Sequence, residues 1–369
     1  MSPRLRSVAH SRTSPRQQRY RRPVRYLRSL VLLSCILLPS FTHGADRVTI
    51  RPEDSAGLLV ISGDIRDYND EFLTLRSGPQ TQLYPRSVVA AVETYRTPEQ
   101  IRGEELYEQG QIEEATAQFS AALATEQRDW LRREILAGLV RCDQRRGNLE
   151  AAANHFVAII ESEPHTRHWG IAPLLWMPTP VSNGLRNAAK RWVVSPSEAV
   201  RLLGASLLLS DTMTRLTGLA ELHKLERSQD RYVQSLAQAQ VWSTTFNSNV
   251  LTTEELLRWQ HDIDRMPESI RAGPWYALGQ AHLVRRDPDA AAAALLRVLI
   301  VHDADPQLAA RCGLEGALAL RRTNREDEAR IVLQEVAERF PWTTSASEAR
   351  QLLRDDGASP PAATAIPDR

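Results

Sequence analysis

The chain has 369 residues, 42% hydrophobic and 25% charged, with a formal net charge of +1 at pH 7, enough for about two domains and ordinary for a soluble protein. Residues 1–45 hold nine arginines and no acid, so the remainder carries about −8, a sign that argues against general nucleic-acid binding. Only Lys190 and Lys224 are lysines among 46 basic residues, a bias that reads as coding preference before function.

The first element is an address. Arg21, Arg22, Arg25 and Arg28 precede the apolar run Leu30 to Leu38, which Pro39 ends before a small-residue segment. Basic, apolar and small residues in that order predict a secretory signal over residues 1–45, cleaved after Gly44 or Ala45. The run is far shorter than the ~20 residues that span a bilayer, so no stable transmembrane span is expected. Leu32-Leu33-Ser34-Cys35 has the outline of a lipoprotein box, which makes a lipid anchor at Cys35 the alternative to cleavage. Arg21-Arg22 invites a twin-arginine reading, but Arg25 stands where that signal takes an apolar residue. A basic tail on a cytoplasmic protein is the bland competitor. Export would leave Cys142 and Cys312, about 170 residues apart on helical apolar faces, as two separate buried thiols without metal-ligand spacing.

From 46 to 96 the period is two, and turn residues recur. Leu59 to Tyr68 reads as a long bent strand with a bulge at Gly63. Asn69-Asp70 turns, Phe72 to Leu75 returns, Ser77-Gly78 turns again into Thr81 to Tyr84, and Val88 to Val92 closes the set. About five short strands in ~50 residues predict closure into a small barrel. The layout, and nothing more specific, is similar to SH3-like and Sm-like barrels. Sm-like families often bind RNA; export and acidity argue against that here.

Thr97-Pro98-Glu99-Gln100 then supplies an N-cap, a proline at the first helical position and a glutamine at N3. Helices follow with almost no linker. Over 97–164 two helix pairs share their punctuation. Gly103, Gly110, Ala115, Phe119 and Ala122 mark the first, and Gly147, Ala152, Phe156, Ile159 and Pro164 the second. Both turn through a glycine followed two residues later by an apolar one and an acid. Residues 165–273 are helical but irregular. Trp169 to Pro180 predicts an extended loop whose two tryptophans either line a ligand groove or plug a gap between helix stacks, the plug being favoured. Ser195-Pro196-Ser197-Glu198 caps a helix carrying Val200, Leu203, Leu207 and Leu208. Leu216, Leu219, Ala220 and Leu222 mark another, Val233, Leu236, Ala237 and Val241 a third, and Thr252 caps one with Leu256, Leu257 and Trp259. Regularity returns over 274–355 with Trp275, Leu278, Gly279, Ala291, Leu295 and Val298, then Ala317, Leu320, Asn324, Ala329, Leu333 and Pro341. Arg286 and Pro288 replace the usual turn in the first of these. A closing helix from Ser345 caps the array, and 356–369 reads as a disordered tail.

The spacing of these small, apolar and turn residues resembles the tetratricopeptide repeat. The fold class expected is therefore mainly α, a TPR-like helical-hairpin repeat solenoid preceded by a small N-terminal β-barrel-like domain. Such arrays bind proteins, which makes a non-enzymatic, extracytoplasmic scaffold the leading reading. A cell-envelope assembly factor, lipid-anchored or not, is the alternative, and an enzyme of unrecognised type the third.

Catalytic signals are weak. His165 and His168 lie in a turn, His261, Asp262 and Asp264 lack a calcium loop, and Glu113-Glu114 and Glu254-Glu255 belong to first helical turns. No phosphate loop, nucleophile elbow or H-E-x-x-H is present, so no cofactor or metal is expected. In proteins with this repeat, the exposed positions of each first helix face a concave groove. Carried over, that pattern selects Glu104, Tyr107 and Glu108, then Arg141, Gln144 and Arg145, then Tyr276 and Gln280, and last Arg321 and Arg322. The asparagine and lysine of the family's carboxylate clamp are missing, the matching positions being Ile101, Glu104, Gly138, Arg141, Ala277, Gln280, Glu315 and Leu318.

Overall fold

The computed structural model describes residues 45–52, 57–245 and 251–358. The expected signal segment (residues 1–45), except Ala45, and the expected tail (356–369), except the first three residues, which continue the last helix, lie outside them. The chain opens with strands β1 (Asp46–Ile50), β2 (Leu59–Tyr68), β3 (Phe72–Ser77), β4 (Gln80–Pro85) and β5 (Val89–Glu93), a short 3-10 turn separating the last two. All pairs are antiparallel, in the order β4-β3-β2-β1-β5. The long β2 is shared, its first half paired with β1 and its second with β3. Gly63 stands at the handover, where a Cβ would lie 2.6 Å from the Arg76 carbonyl oxygen. The register shift expected there falls instead between Ile65 and Asp67. Gly63 is thus a bend that lets β3 approach, rather than a bulge.

The inner face of this sheet carries Val48, Ile50, Ile65, Tyr68, Leu73 and Leu75, a core too small to stand alone. Trp130 and Leu131 complete it from the first turn of a helix. Edges β4 and β5 do not pair with each other, so the curved sheet is closed by that helix and not by a last ladder.

Fourteen α-helices follow among the described residues: α1 (Pro98–Glu108), α2 (Ile112–Thr125), α3 (Asp129–Arg145), α4 (Leu149–Ser162), α5 (Asn183–Trp192), α6 (Glu198–Leu208), α7 (Arg215–Leu225), α8 (Arg231–Thr244), α9 (Thr253–Arg265), α10 (Ala272–Val284), α11 (Pro288–Val301), α12 (Pro306–Arg321), α13 (Glu326–Arg339) and α14 (Thr344–Ala358). Their starts follow local chemistry. The Thr97 and Ser197 hydroxyls accept from the N–H of Gln100 and Val200, and Thr252 with Glu255 forms a capping box. The sequence reading missed α5, capped by Ser182, because the proline-rich run before it hid the start. It also misplaced part of the α7 stripe, where Leu222 is buried as expected but Leu216 and Ala220 are exposed. Leu216 is 78% exposed while Gly218, Leu222 and Leu225 are buried. Gly218 decides this, since a Cβ there would lie 2.6 Å from the Ala205 carbonyl oxygen. Leu257, expected in the core of α9, is likewise exposed.

Hairpins α1/α2, α3/α4, α10/α11 and α12/α13 each turn through a left-handed residue, Gly110 (φ +79°), Gly147 (+70°), Arg286 (+61°) and Asn324 (+61°). Glycine adopts this conformation freely, whereas a Cβ resists it. Gly110→Val should therefore lower the unfolding free energy by about 1–3 kcal/mol and Arg286→Gly raise it by about 0.5–1 kcal/mol. Urea midpoints at unchanged m-value would check both, and no shift in either would mean that the turns are not held in this conformation. Between the first two hairpins Phe119 fills a slot left by glycines, since a Cβ at Gly103 or Gly138 would sit 3.0 or 2.9 Å from its ring. Leu295 on Gly279 and Val336 on Gly313 make the same kind of contact later. Cys142 and Cys312 are free and buried.

Candidate functional site

The segment between α4 and α5 crosses the array instead of looping into solvent. Trp169, 3% exposed, sets its edge on Phe156 (5.6 Å between centroids) and stacks on Tyr232 of α8 at 6.0 Å. The Gln144 side-chain amide donates to the Ile171 carbonyl at 3.0 Å. Leu175 is held at both backbone groups, its N–H donating to Ser206 Oγ at 2.9 Å and its carbonyl accepting from Gln240 Nε2 at 3.2 Å. The Trp176 indole lies flush on Gly273, where a Cβ would come within 1.8 Å of it. Among the clefts of the described residues, three involve positions that the repeat pattern selects. One of about 670 Å³ lies between β5, α1 and α3. The others, about 590 and 380 Å³, both run along residues 175–179.

This arrangement divides the residues that the repeat pattern assigns to one groove. Glu104 and Arg141 line the first cleft. Glu104 is held by Arg96 at 2.5 Å, while Arg141 is exposed and forms no ion pair among the described residues. Tyr107 and Arg145 are structural. Arg145 donates to the Tyr107 carbonyl at 3.0 Å and stacks its guanidinium over the Tyr107 ring and over Trp342, 3.5 Å from the latter's centroid. Because Trp342 follows α13, this contact, with that of α12 against α3, ties the last hairpin to the second. Gln144 borders the third cleft and Gln280 the second. Tyr276, expected to be exposed, is buried, its phenol set among Arg311, Cys312 and Glu315 of α12 while the residue borders the second cleft together with Trp176. Burial, and then the Glu315 carboxylate, push its phenol pKa well above the ordinary value. Arg321 is claimed by Asp356 of α14 and by Glu326 at 3.6 Å. Glu108 and Arg322 face solvent.

The polar groups that sequence reasoning passed over join the sheet to the helices. Buried Arg133 pairs with Asp67, Tyr232 Oη donates to Asp70, and Arg128 bonds Glu126 and the Tyr95 carbonyl. Arg167 lies over the Tyr68 ring at 4.3 Å. These partners are far apart in sequence and share no period. Only the apolar pair Trp130-Leu131, off the α3 stripe, hinted at the docking.

His168, one of the two histidines expected in a turn, is buried with Nε2 2.9 Å from Glu134 Oε1, and Arg167 grips the same carboxylate at 2.6 Å. His165 is exposed, and no cluster of metal-binding side chains occurs among the described residues. Burial works to raise the Glu134 pKa, but the hydrogen bond and charge of His168 with the charge of Arg167 outweigh it and hold the carboxyl at about 2. Burial also lowers the His168 pKa below 6.5. The sign follows. A carboxyl held below its unfolded value stabilises the fold above pH ~4.5 and loses that contribution as pH falls toward 2, about 3 kcal/mol at 1.36 kcal/mol per unit. The histidine adds acid sensitivity below pH ~6.5. Urea unfolding across this range should show the loss, and Glu134→Gln should flatten it. An equally steep profile in that variant would exonerate Glu134.

Among the described residues no helix is long and apolar enough to cross a membrane. No family model matches the sequence, and no curated protein matches it. Among solved structures the chain matches an assembly chaperone of RpL4 (Acl4, residues 1–338) at 14% identity, over 70% of this chain and 97% of that one, with a TM-score of 0.29. The description of this protein as stacked helical hairpins behind an antiparallel sheet rests on its own geometry.

Proposed function

We propose that this chain is a non-enzymatic scaffold of the tetratricopeptide type that holds a protein partner outside the cytoplasm. The observation that supports it most is the recurrence of one device. Four hairpins turn through a left-handed residue, and side chains of second helices seat on first-helix glycines. That recurrence builds an extended surface from local units, and it is how repeat arrays make binding faces. The buried titratable groups serve the frame. Glu134, His168 and Arg167 satisfy one another, as do Arg133 and Asp67.

Of the groove residues, Arg141 is the one to test. Arg141→Glu should weaken capture of a partner from the exported fraction without lowering the melting temperature, whereas Arg145→Glu should lower both, because Arg145 carries Trp342. Capture indifferent to Arg141 would remove the groove from the reading. Export is tested separately by N-terminal sequencing, with a start near Ala45 expected. An intact Met1 in the exported material would reject cleavage. A lipid-bearing start at Cys35 would favour the second reading, an envelope assembly factor, to which separate clefts on the sheet side and along residues 175–179 are suited.

A further inference from the structure

The cleft of about 670 Å³ between sheet and helices carries features that the helical surface lacks. Its lining takes in all six consecutive residues from Val89 to Thr94. Side chains alternate between the faces of a strand, so a cleft touching every residue runs along the strand's edge. Among the described residues β5 is an edge strand that pairs with β1 alone. In an antiparallel pair every second residue turns its N–H and C=O away from the partner, so the regular stretch of residues 91–93, beyond the register shift that leaves Ala90 unmatched, has backbone donors and acceptors outside the ladder on the cleft's side. Apart from the register shift at Ala90 and the charge of Glu93, β5 is little guarded. It has no proline and no lysine, and Ala90 and Ala91 leave room beside it, whereas the opposite edge, β4, ends on Pro85.

The far wall holds further groups without partners. Gln100 Oε1 and Trp130 Nε1 are buried and have no hydrogen-bond partner among the described residues, and both residues line this cleft. Gln100 and Trp130 are each 3% exposed, so each orphaned atom is costly unless something enters to satisfy it. The charges of the wall are otherwise paired. Arg47 takes Glu93 at 3.3 Å, Arg96 takes Glu104 at 2.5 Å, and Arg167 takes Glu134 at 2.6 Å. Arg141 is the cation left over. A strand edge, a spare acceptor, a spare donor and one unpaired guanidinium converge on one space.

We infer that this cleft receives an extended acidic segment of a protein partner, which adds to β5 as a further strand and sets a carboxylate against Arg141. The inference rests on the scaffold reading and gives it a site. It moves recognition from the helical groove to the junction of sheet and helices. A nucleic-acid strand is not the fit, since a phosphate backbone needs a row of free cations and the cleft offers one that is unpaired.

The test uses the full chain and a short fluorescent peptide of alternating threonine and valine around a central aspartate, blocked at both ends. Anisotropy should show saturable binding. N-methylation of alternate peptide bonds should abolish it in one frame and spare it in the other, because only one edge of the added strand meets β5. Arg141→Ala, and aspartate→asparagine in the peptide, should each weaken binding about tenfold, and together no more than either alone. No binding to the wild-type protein, equal sensitivity in both N-methyl frames, or indifference to Arg141 would overturn the inference. Displacement of the peptide by equimolar N-acetyl-aspartamide would do so too, by showing an anion site without strand addition. The scaffold reading fails differently. A partner captured from the exported fraction that the peptide cannot displace would keep the scaffold and remove this cleft from it, while peptide binding without any captured partner would do the reverse.

Discussion

Replacing Phe119 by alanine is expected to lower the unfolding free energy by about 3–5 kcal/mol, the range for deleting a buried aromatic ring. Phe119 is 4% exposed, in the slot that Gly103 and Gly138 leave between α1 and α3. Alanine would leave a void that those helices could close only by approaching each other, and both are anchored elsewhere. α1 is capped by Thr97 and accepts Arg145 at the Tyr107 carbonyl. α3 is pinned by Trp130 and Leu131 in the sheet core. The converse changes, Gly103→Ala or Gly138→Ala, push a methyl into the ring and should cost about 1–3 kcal/mol each. Phe119→Leu combined with Gly138→Ala should recover part of both losses, a non-additivity that a double-mutant cycle in urea would read. A loss below about 1 kcal/mol for Phe119→Ala would mean that the slot collapses freely. Phe119 also borders the cleft at the sheet, so its variants are unsuited to binding assays.

The repeats were legible in the sequence because their determinants are local. A glycine at a turn, a small residue on one helix and an aromatic on the next lie within about twenty residues, and a helix presents them at a fixed period. Asn324 stands in the left-handed conformation its residue type allows. The cap at Thr97 and the box at Thr252 are equally local. What the sequence concealed depends on contacts between distant segments. Nothing near Arg145 announces Trp342, and nothing near Asp70 announces Tyr232. The face of α7 is set by a glycine meeting a carbonyl of α6, which outweighs the apolar pattern that favoured Leu216. The groove residues divide for the same reason. The repeat pattern gives the side of the helix on which Tyr276 lies, but not that Arg311, Cys312 and Glu315 of α12 surround its phenol, nor that Trp176 lies on Gly273 one turn away.

That crossing segment makes Trp169 the residue on which continuity of the array depends. Trp169→Ala should cost about 3–5 kcal/mol and also change how the protein unfolds. Repeat arrays hold together through nearest-neighbour interfaces, and a weakened interface lets the two sides melt apart. Trp169 supplies such an interface where regular pairing is interrupted, between Phe156 of the second hairpin and Tyr232 of α8. Its removal should separate the transition seen by tryptophan fluorescence from that seen by circular dichroism, which coincide in a two-state protein. Trp169→Phe is the informative comparison. The indole Nε1 is buried without a hydrogen-bond partner, a defect of about 1–3 kcal/mol that phenylalanine does not have. The smaller ring loses contact area but sheds that orphaned N–H, so its cost should be well below that of alanine. The two transitions should stay together. A phenylalanine variant as damaged as the alanine one would mean that the indole N–H is satisfied in solution and that Trp169 acts through a hydrogen bond rather than through its ring.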